Sequence, residues 1–222
     1  MSIVNKKIKN KLLKIAKNKI KSYNDPSHDF FHTLRVLKLA EKIAIEEKAD
    51  LDIVIPAAIF HDSIIYPKNH PKSHLSSKES SDFARKILIK LKLLPKDKIQ
   101  KICRVIELCS FSKGISADFL EAKVLQDADR LEALGAIAIM RTFSSGGQMR
   151  RELYNYIDPF CEKRKPNDKK YSLDLFFTRL LLIPNKLHTK TAKFLAKKRI
   201  NFLYKFLKQL KIELSQLKYD KI

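Results

Sequence analysis

Residues 53–62 read IVIPAAIFHD. Before His61 every side of a helix drawn through them is apolar, and a helix of that kind belongs in the middle of a core. Asp52, just ahead, is a candidate cap. Pro56 either marks the first turn or imposes a small kink. The stretch then ends on two polar residues, His61 and Asp62, at the edge of what must be a dry interior. Fold and chemistry both turn on that ending.

Upstream, SYNDPSHDFFHTLRVLKLAEKIAIEEKA (22–49) offers Asn24, Asp25 and Ser27 as caps. His32, Val36, Leu39, Ala40 and Ile43 then form one helical stripe. Further upstream, Ile8, Leu12, Ile15, Ala16 and Ile20 recur at helical spacing and predict a first helix. Downstream, SIIYPKNHPKSHLSS reads as a loop into a helix over 76–93, and Pro95 with Asp97 opens another to Leu108. SFSKGISAD (110–118) is a connection. Asp118 is expected to cap one helix running through VLQDADRLEALGAIAIM, and SSGGQ (144–148) to break the pattern. DPFCEKRKPNDKK (158–170) reads as a polar loop, followed by helices over 171–183 and 187–217. No stretch alternates as a strand does. The fold class is all-α.

With 222 residues the chain is about 1.5 domains of the usual roughly 150 residues. Folding a chain of that size removes roughly 70% of its surface from water, so neither a disulfide nor a structural metal is needed to hold it together. Hydrophobic residues at 45% exclude wholesale disorder, and only 4 glycines argue against a turn-rich β protein. Cys103, Cys109 and Cys161 are odd in number and lack CxxC spacing, which points to a reducing compartment. No apolar run approaches the ~20 residues of a membrane span. The charged N-terminus lacks the apolar core of a secretory signal. The reading is of a cytoplasmic, soluble protein. The net charge of +22 would suit nucleic acid or an anionic surface. Its lysines, however, are spread over nearly the whole length beside abundant Ile and Asn, as an AT-rich genome produces. No basic cluster is read as interleaved with aromatics for base stacking.

Four polar residues stand where core is expected. His32 begins its apolar stripe, His61 and Asp62 end the apolar helix, and Asp129 shares a helical row with Leu125, Ala133 and Ala136. A carboxylate on such a face is costly unless a cation pairs with it or a metal binds it. Two imidazoles and two carboxylates make a mixed N/O set for a divalent metal. His61 and Asp62 diverge by roughly 100° around a helix, so they share an ion only if it lies off the helix end. The competing structural reading makes them core histidines bonded to backbone, with the carboxylates as caps or ion-pair partners.

The order His…His-Asp…Asp, in the contexts HDFFHTLRV, AAIFHDSIIYPKNHP and VLQDADRLEALGAIAIMRTF, resembles the HD superfamily of metal-dependent phosphohydrolases. Within it, the chain is most similar to the stand-alone bacterial YedJ-like group. The likeness continues through FSSGGQ, DPF, KKYSLDLFFTRLLLIP and the final helix, so it spans nearly the whole chain. It implies an HD-domain helical bundle over 22–145, led by a helix at 1–21 and extended by C-terminal helices at 146–222, effectively one globular unit. It also implies one divalent metal, or sometimes two, held by His32, His61, Asp62 and Asp129. Asp129 is preferred because the family's last ligand sits in an Ala-Asp-Arg-Leu context. Asp127, on a mixed face with Lys123, Val124, Arg130 and Leu131, suits a solvated or supporting role better. Arg35, Lys68 and His28 are candidates for handling phosphate, since a guanidinium can engage two phosphate oxygens at once. The ordinary alternatives are Arg35 paired with Asp29 or Asp25, Lys68 in solvent and His28 as a cap.

The chain departs from the group at Cys109, in ELCSFSKGI, where a histidine is usual. A neutral thiol does not replace imidazole as a donor to phosphate or as a proton shuttle. The expected function is hydrolysis of a phosphoester or phosphoanhydride in a small phosphorylated substrate, by family analogy a nucleotide. The metal would activate water, and Mn, Mg, Fe, Co, Ni and Zn all fit the donor set. In that scheme Asp62 orients the water, while Arg35 and Lys68 offset phosphate charge. The alternative is a basic helical binding protein, a lapsed HD domain contacting nucleic acid or an acidic partner. Cys109 and the +22 charge motivate it.

Overall fold

The structure, a computed structural model, describes residues 3–20, 29–66, 70–109 and 117–216. Among these are nine α-helices and no strand, only an isolated bridge between Glu152 and Tyr171. The expected caps Asn24, Asp25 and Ser27, together with His28, Lys68 and residues 110–116, lie outside the described residues. The chain divides into two compact units, Met1–Glu132 with Leu187–Ala192, and Ala133–Lys186 with Lys193–Ile222.

The first unit holds α1 (Lys6–Ile20), α2 (Phe30–Glu47), α3 (Leu51–Phe60), α4 (Ser76–Leu91), α5 (Lys96–Leu108) and α6 (Leu120–Leu131). Helix α3 touches each of the other five. Every residue of it from Asp52 to Phe60 is buried, as its all-round apolar sequence requires. A fully buried side chain such as Phe60 contributes on the order of 1.5–3 kcal/mol, so this one helix carries much of the unit's cohesion. Pro56 lies inside the helix, five residues past its start, which rules out the first-turn reading.

Asp52 is not the cap. Asp50 precedes the helix, and its carboxylate accepts the Asp52 amide (2.9 Å). Asp52 is turned inward, where it accepts the Val4 amide (2.8 Å) and the Lys98 ammonium (2.7 Å), tying the N-terminal segment and α5 to the central helix. Helix α2 is capped by Asp29, which accepts the His32 amide at 2.8 Å. That cap sets where the α2 stripe begins, and with it the position of His32.

A second correction concerns the helix expected from Asp118 through Met140. It is two helices, α6 and then α7 (Ala136–Gln148), and Asp118 does not cap the first. The break falls at Gly135, whose φ of 78° an L side chain resists. Ala136 therefore does not continue Asp129's helical row. Helix α7 also runs through SSGGQ instead of stopping there. Gly146 is needed because a Cβ there would stand 2.1 Å from Ser172 Oγ, so the absence of a side chain admits close approach.

In the second unit, α8 (Asp174–Thr178) is a single turn followed by a 3₁₀ stretch, Leu180–Lys186, where one helix over 171–183 was expected. Helix α9 (Lys190–Gln216) begins in the first unit and continues through the second. Phe143, Phe176 and Phe206 bring their rings together at centroid distances of 5.7–6.4 Å. The polar loop before α8 is tightly pinned. Asp158 accepts the amides of Glu162, Lys163 and Arg164. Arg164 then grips fully buried Asp174 with both terminal nitrogens (2.5 and 2.7 Å), and the Asn167 amide adds a third bond (2.5 Å).

Burial alone would raise the Asp174 carboxyl, but Arg164 and the Asn167 amide outweigh it and hold the group below the ordinary carboxylate range. A lowered folded-state pKa means the stabilisation is present above the unfolded value and disappears as pH falls through the folded one. Asp174→Asn is therefore expected to cost about 2–3 kcal/mol at neutral pH, and the gap to wild type should narrow on acidification. Urea unfolding across the acid range measures this, and a constant gap would contradict it.

Candidate metal centre

The site is assembled at the exit of α3. The helix ends at Phe60, so His61 and Asp62 occupy the turn off its end, the one arrangement that lets neighbours meet a common point. The His61 ring is 3% exposed, and its Nδ1 lies 2.8 Å from the Ala58 carbonyl. A carbonyl only accepts, so Nδ1 carries a proton, and in the neutral ring Nε2 is the atom with the lone pair. That buried Nε2 makes no hydrogen bond to any described residue. Leaving such an atom unsatisfied costs about 1–3 kcal/mol, unless a cation takes it.

His32, from the first turn of α2, brings its Nε2 to 3.5 Å from Asp62 Oδ2 and 3.5 Å from Asp129 Oδ1. Asp62 Oδ2 is also 3.5 Å from His61 Nε2. One donor atom from each of His32, His61 and Asp129 lies within 4.8 Å of the others, so this cluster can hold a metal ion. The imidazoles are buried, while Asp62 and Asp129 remain one-quarter to one-third exposed on the accessible side. The spacings of 3.5 Å exceed a charge-assisted hydrogen bond of about 2.7–2.9 Å. They match donors that share an ion at bond lengths of about 2.0–2.2 Å, which stand roughly 3–3.5 Å apart.

Sequence reasoning missed Glu132. Its carboxylate is 1% exposed, 2.6 Å from Arg35 Nε and 3.6 Å from His32 Nδ1. Arg35 thus pairs with Glu132, where the sequence suggested Asp29 or Asp25; Asp25 lies outside the described residues. Burial would raise the Glu132 carboxyl, but His32 and Arg35 more than compensate and keep it below the usual range. The available signal was its place three residues after Asp129, on the same face one turn on. Asp62, Asp129 and Glu132 against Arg35 leave two carboxylate charges that the guanidinium does not offset, which one divalent cation balances.

Of the solvated and supporting roles left open for Asp127, its burial excludes the solvated one. Asp127 is fully buried and accepts the amides of His188 and Thr189 and the Thr189 hydroxyl, at 2.7–3.1 Å. It secures the segment that leads into α9, on the opposite side of α6 from Asp129. Arg130 reaches His188 Nε2 at 2.7 Å, and Gln126 spans from the Leu108 carbonyl (2.6 Å) to His188. Cys109 ends α5 beside this group. Burial first, then the charges of Asp129 and Asp62, push its thiol well up, so it stands in the site as a neutral group.

Comparison with known proteins gives the same picture. The HD domain family profile matches residues 29–134, the span from the α2 cap to the residue before Gly135. The chain is 34% identical to the uncharacterised protein YpgQ of Bacillus subtilis over 187 residues, 82% of either chain. It also resembles the crystal structure of that protein in complex with ADP, with a TM-score of 0.71 and 30% identity over 92% of this chain and 97% of that one. The Listeria innocua protein Lin1889 matches at a TM-score of 0.70 and 34% identity, over 95% and 99% of the two chains. An HD-superfamily hydrolase from Bacillus thuringiensis matches at 0.70 and 27%, over 94% and 97%. The convergence of His32, His61 and Asp129, the all-helical fold and these likenesses identify the chain as a member of the HD superfamily of hydrolases, of the YpgQ-like kind.

Proposed function

We propose that the chain is a metal-dependent phosphohydrolase that cleaves a phosphoester or phosphoanhydride bond of a nucleotide. His32, His61, Asp62 and Asp129 are the ligands in this reading. The observation that carries it is the buried His61 Nε2, without a hydrogen bond and 3.5 Å from the Asp62 carboxylate, on a ring whose Nδ1 is taken by the Ala58 carbonyl. The nucleotide is supported by the ADP held by the similar YpgQ. A divalent ion held there would supply Lewis-acid polarisation of a phosphoryl oxygen and a water acidic enough to attack at neutral pH. Asp62, part-exposed, orients the attacking water and accepts its proton. Arg35 spends its Nε on Glu132, and its two terminal nitrogens are the fork offered to phosphate oxygens. Lys68 is proposed to add a second positive charge. Imidazole with carboxylate admits Mn, Mg, Fe, Co, Ni or Zn. A lapsed site would have no reason to keep these charges inside.

A second reading has its own observation, and it corrects the expectation that no basic cluster carries aromatics. Helix α9 exposes Lys193, Lys197, Lys198, Lys205, Lys208 and Lys211, and among them Phe194 (69% exposed), Phe202 (46%) and Tyr204 (54%). Lysines flanking solvent-facing rings suit single-stranded nucleic acid, with phosphates on the ammonium groups and bases on the rings.

Purified protein is expected to retain near-stoichiometric divalent metal and to release phosphate or pyrophosphate from a member of a nucleotide panel. His61→Ala and Asp129→Ala should lose both, whereas Asp127→Asn should keep the metal but unfold at lower temperature. Unchanged metal content in the first two variants would dispose of the assignment. For α9, affinity for mixed-sequence single strands should fall with log salt at a slope of about −0.7 per phosphate contacted. Phe202→Ala with Tyr204→Ala should weaken it about tenfold or more. Neutralising Lys7, Lys11 and Lys14 of α1 is the charge-matched control for neutralising Lys197, Lys205 and Lys208 of α9. Equal losses from both sets, with no effect of the rings, would reduce the binding to general charge.

A further inference from the structure

We infer that Phe31 is a platform on which the base of a nucleotide stacks while its phosphates occupy the metal centre. The inference rests on the nucleotide reading above and names the side chain that recognises the nucleoside. An exposed apolar residue needs no explanation by itself. Phe31 differs in where it stands. It immediately precedes His32 in the first turn of α2 and is 66% exposed. Among the described residues of the first unit the other large exposed hydrophobics are Ile3, Ile45 and Ile89, so Phe31 is the aromatic member of the set.

Helical geometry orders three residues around α2. Each step along the chain turns roughly 100°, which places Arg35 roughly 40° and His32 roughly 100° round from Phe31. Exposure follows the same order: Phe31 at 66%, the Arg35 side chain at 34% and that of His32 at 1%. The row therefore runs from solvent, through a guanidinium, to a residue of the candidate metal centre. Phe31 and Arg35 are four residues apart, so their Cβ atoms stand about 5–6 Å from each other. The guanidinium is turned to Glu132, with Nε 2.6 Å from Oε2, and leaves the ring uncovered. Phe30, its neighbour in the chain, has the Lys17 ammonium over its ring at 5.8 Å. Phe31 makes no such contact with any described residue.

A phosphate on the Arg35 fork thus lies one helical turn from a bare aromatic face. A nucleotide has that shape, an anionic phosphate joined through a ribose to a flat heterocycle. A sugar phosphate or an inorganic polyphosphate offers the ring nothing. Every base has a π-face, so such a platform selects nucleotides as a class and tolerates the identity of the base. A second aromatic surface, Tyr66 stacked on His70 at 4.9 Å, begins four residues past Asp62. There each ring covers a face of the other, and the Tyr66 hydroxyl is tied to Glu79 (2.8 Å).

Replacing so exposed a side chain should leave the fold intact. The probes are the methylene-bridged analogue of ADP, which resists hydrolysis between its phosphorus atoms, and methylenediphosphonate, which lacks the nucleoside. Both are titrated by calorimetry into Mn²⁺-loaded protein. Phe31→Ala should weaken binding of the ADP analogue about 5–150-fold and leave methylenediphosphonate unchanged. Phe31→Trp, with a larger ring, should match or exceed wild type. The same loss for both probes, or no loss for either, would overturn the inference alone. So would a loss confined to the ADP analogue that appears in His70→Ala and not in Phe31→Ala. Wild-type protein that binds neither probe would sink the inference together with the nucleotide reading, so the two failures are distinct.

Discussion

The structure of the first unit depends on one electrostatic constraint. Three carboxylates, Asp62, Asp129 and Glu132, are brought against two buried imidazoles with a single guanidinium to offset them. Without a counter-ion the mutual repulsion would add to the desolvation of the most buried member, a penalty of several kcal/mol per ion in a dry environment. Much of the surrounding architecture works to hold this arrangement in place. The Asp29 cap fixes the start of α2, the enclosed α3 fixes its exit, and Asp127 anchors α6 through His188 and Thr189. The site is thus carried on three helices, each locked by its own local chemistry. This is how a constellation of side chains stays within a few tenths of an ångström of working geometry.

The parts legible in the sequence were those governed by a strong, local rule. The all-round apolar run at 53–60 announced a central helix because no other environment suits it, and all five neighbouring helices enclose it. His32, His61, Asp62 and Asp129 were visible because polar groups in apolar rows conflict with burial, and motif order sharpened that signal. Less legible were features set by tertiary contact. Asp127 and Asp129 sit two residues apart, and pattern alone leaves a solvated and a supporting role both open for Asp127, which is fully buried. The deciding fact was the arrival of Thr189, 62 residues downstream, which no local window contains.

Other gaps have equally physical causes. One glycine inside a helical pattern costs only about 1 kcal/mol, so the pattern predicts helix through Gly135, yet it takes a positive φ and splits α6 from α7. The two glycines of SSGGQ drew the opposite error, and one of them is accounted for by the Ser172 hydroxyl lying where a side chain would go. Glu132 has no assigned role in the sequence reading, since nothing in its local pattern sets it apart. Only the fold reveals that Arg35, 97 residues away, neutralises it inside the protein.

The enclosure of α3 also bears on how the site behaves in time. Segments that fray do so where few packed neighbours must be displaced, whereas a helix surrounded on all sides opens only when the whole cooperative unit opens. The amides of Ile55 and of residues 57–60 should thus be among the slowest in the molecule to exchange with solvent deuterium. His61, seated directly on that helix, inherits its persistence: the imidazole cannot wander from its post by local breathing, and its lifetime in place is the lifetime of the native state.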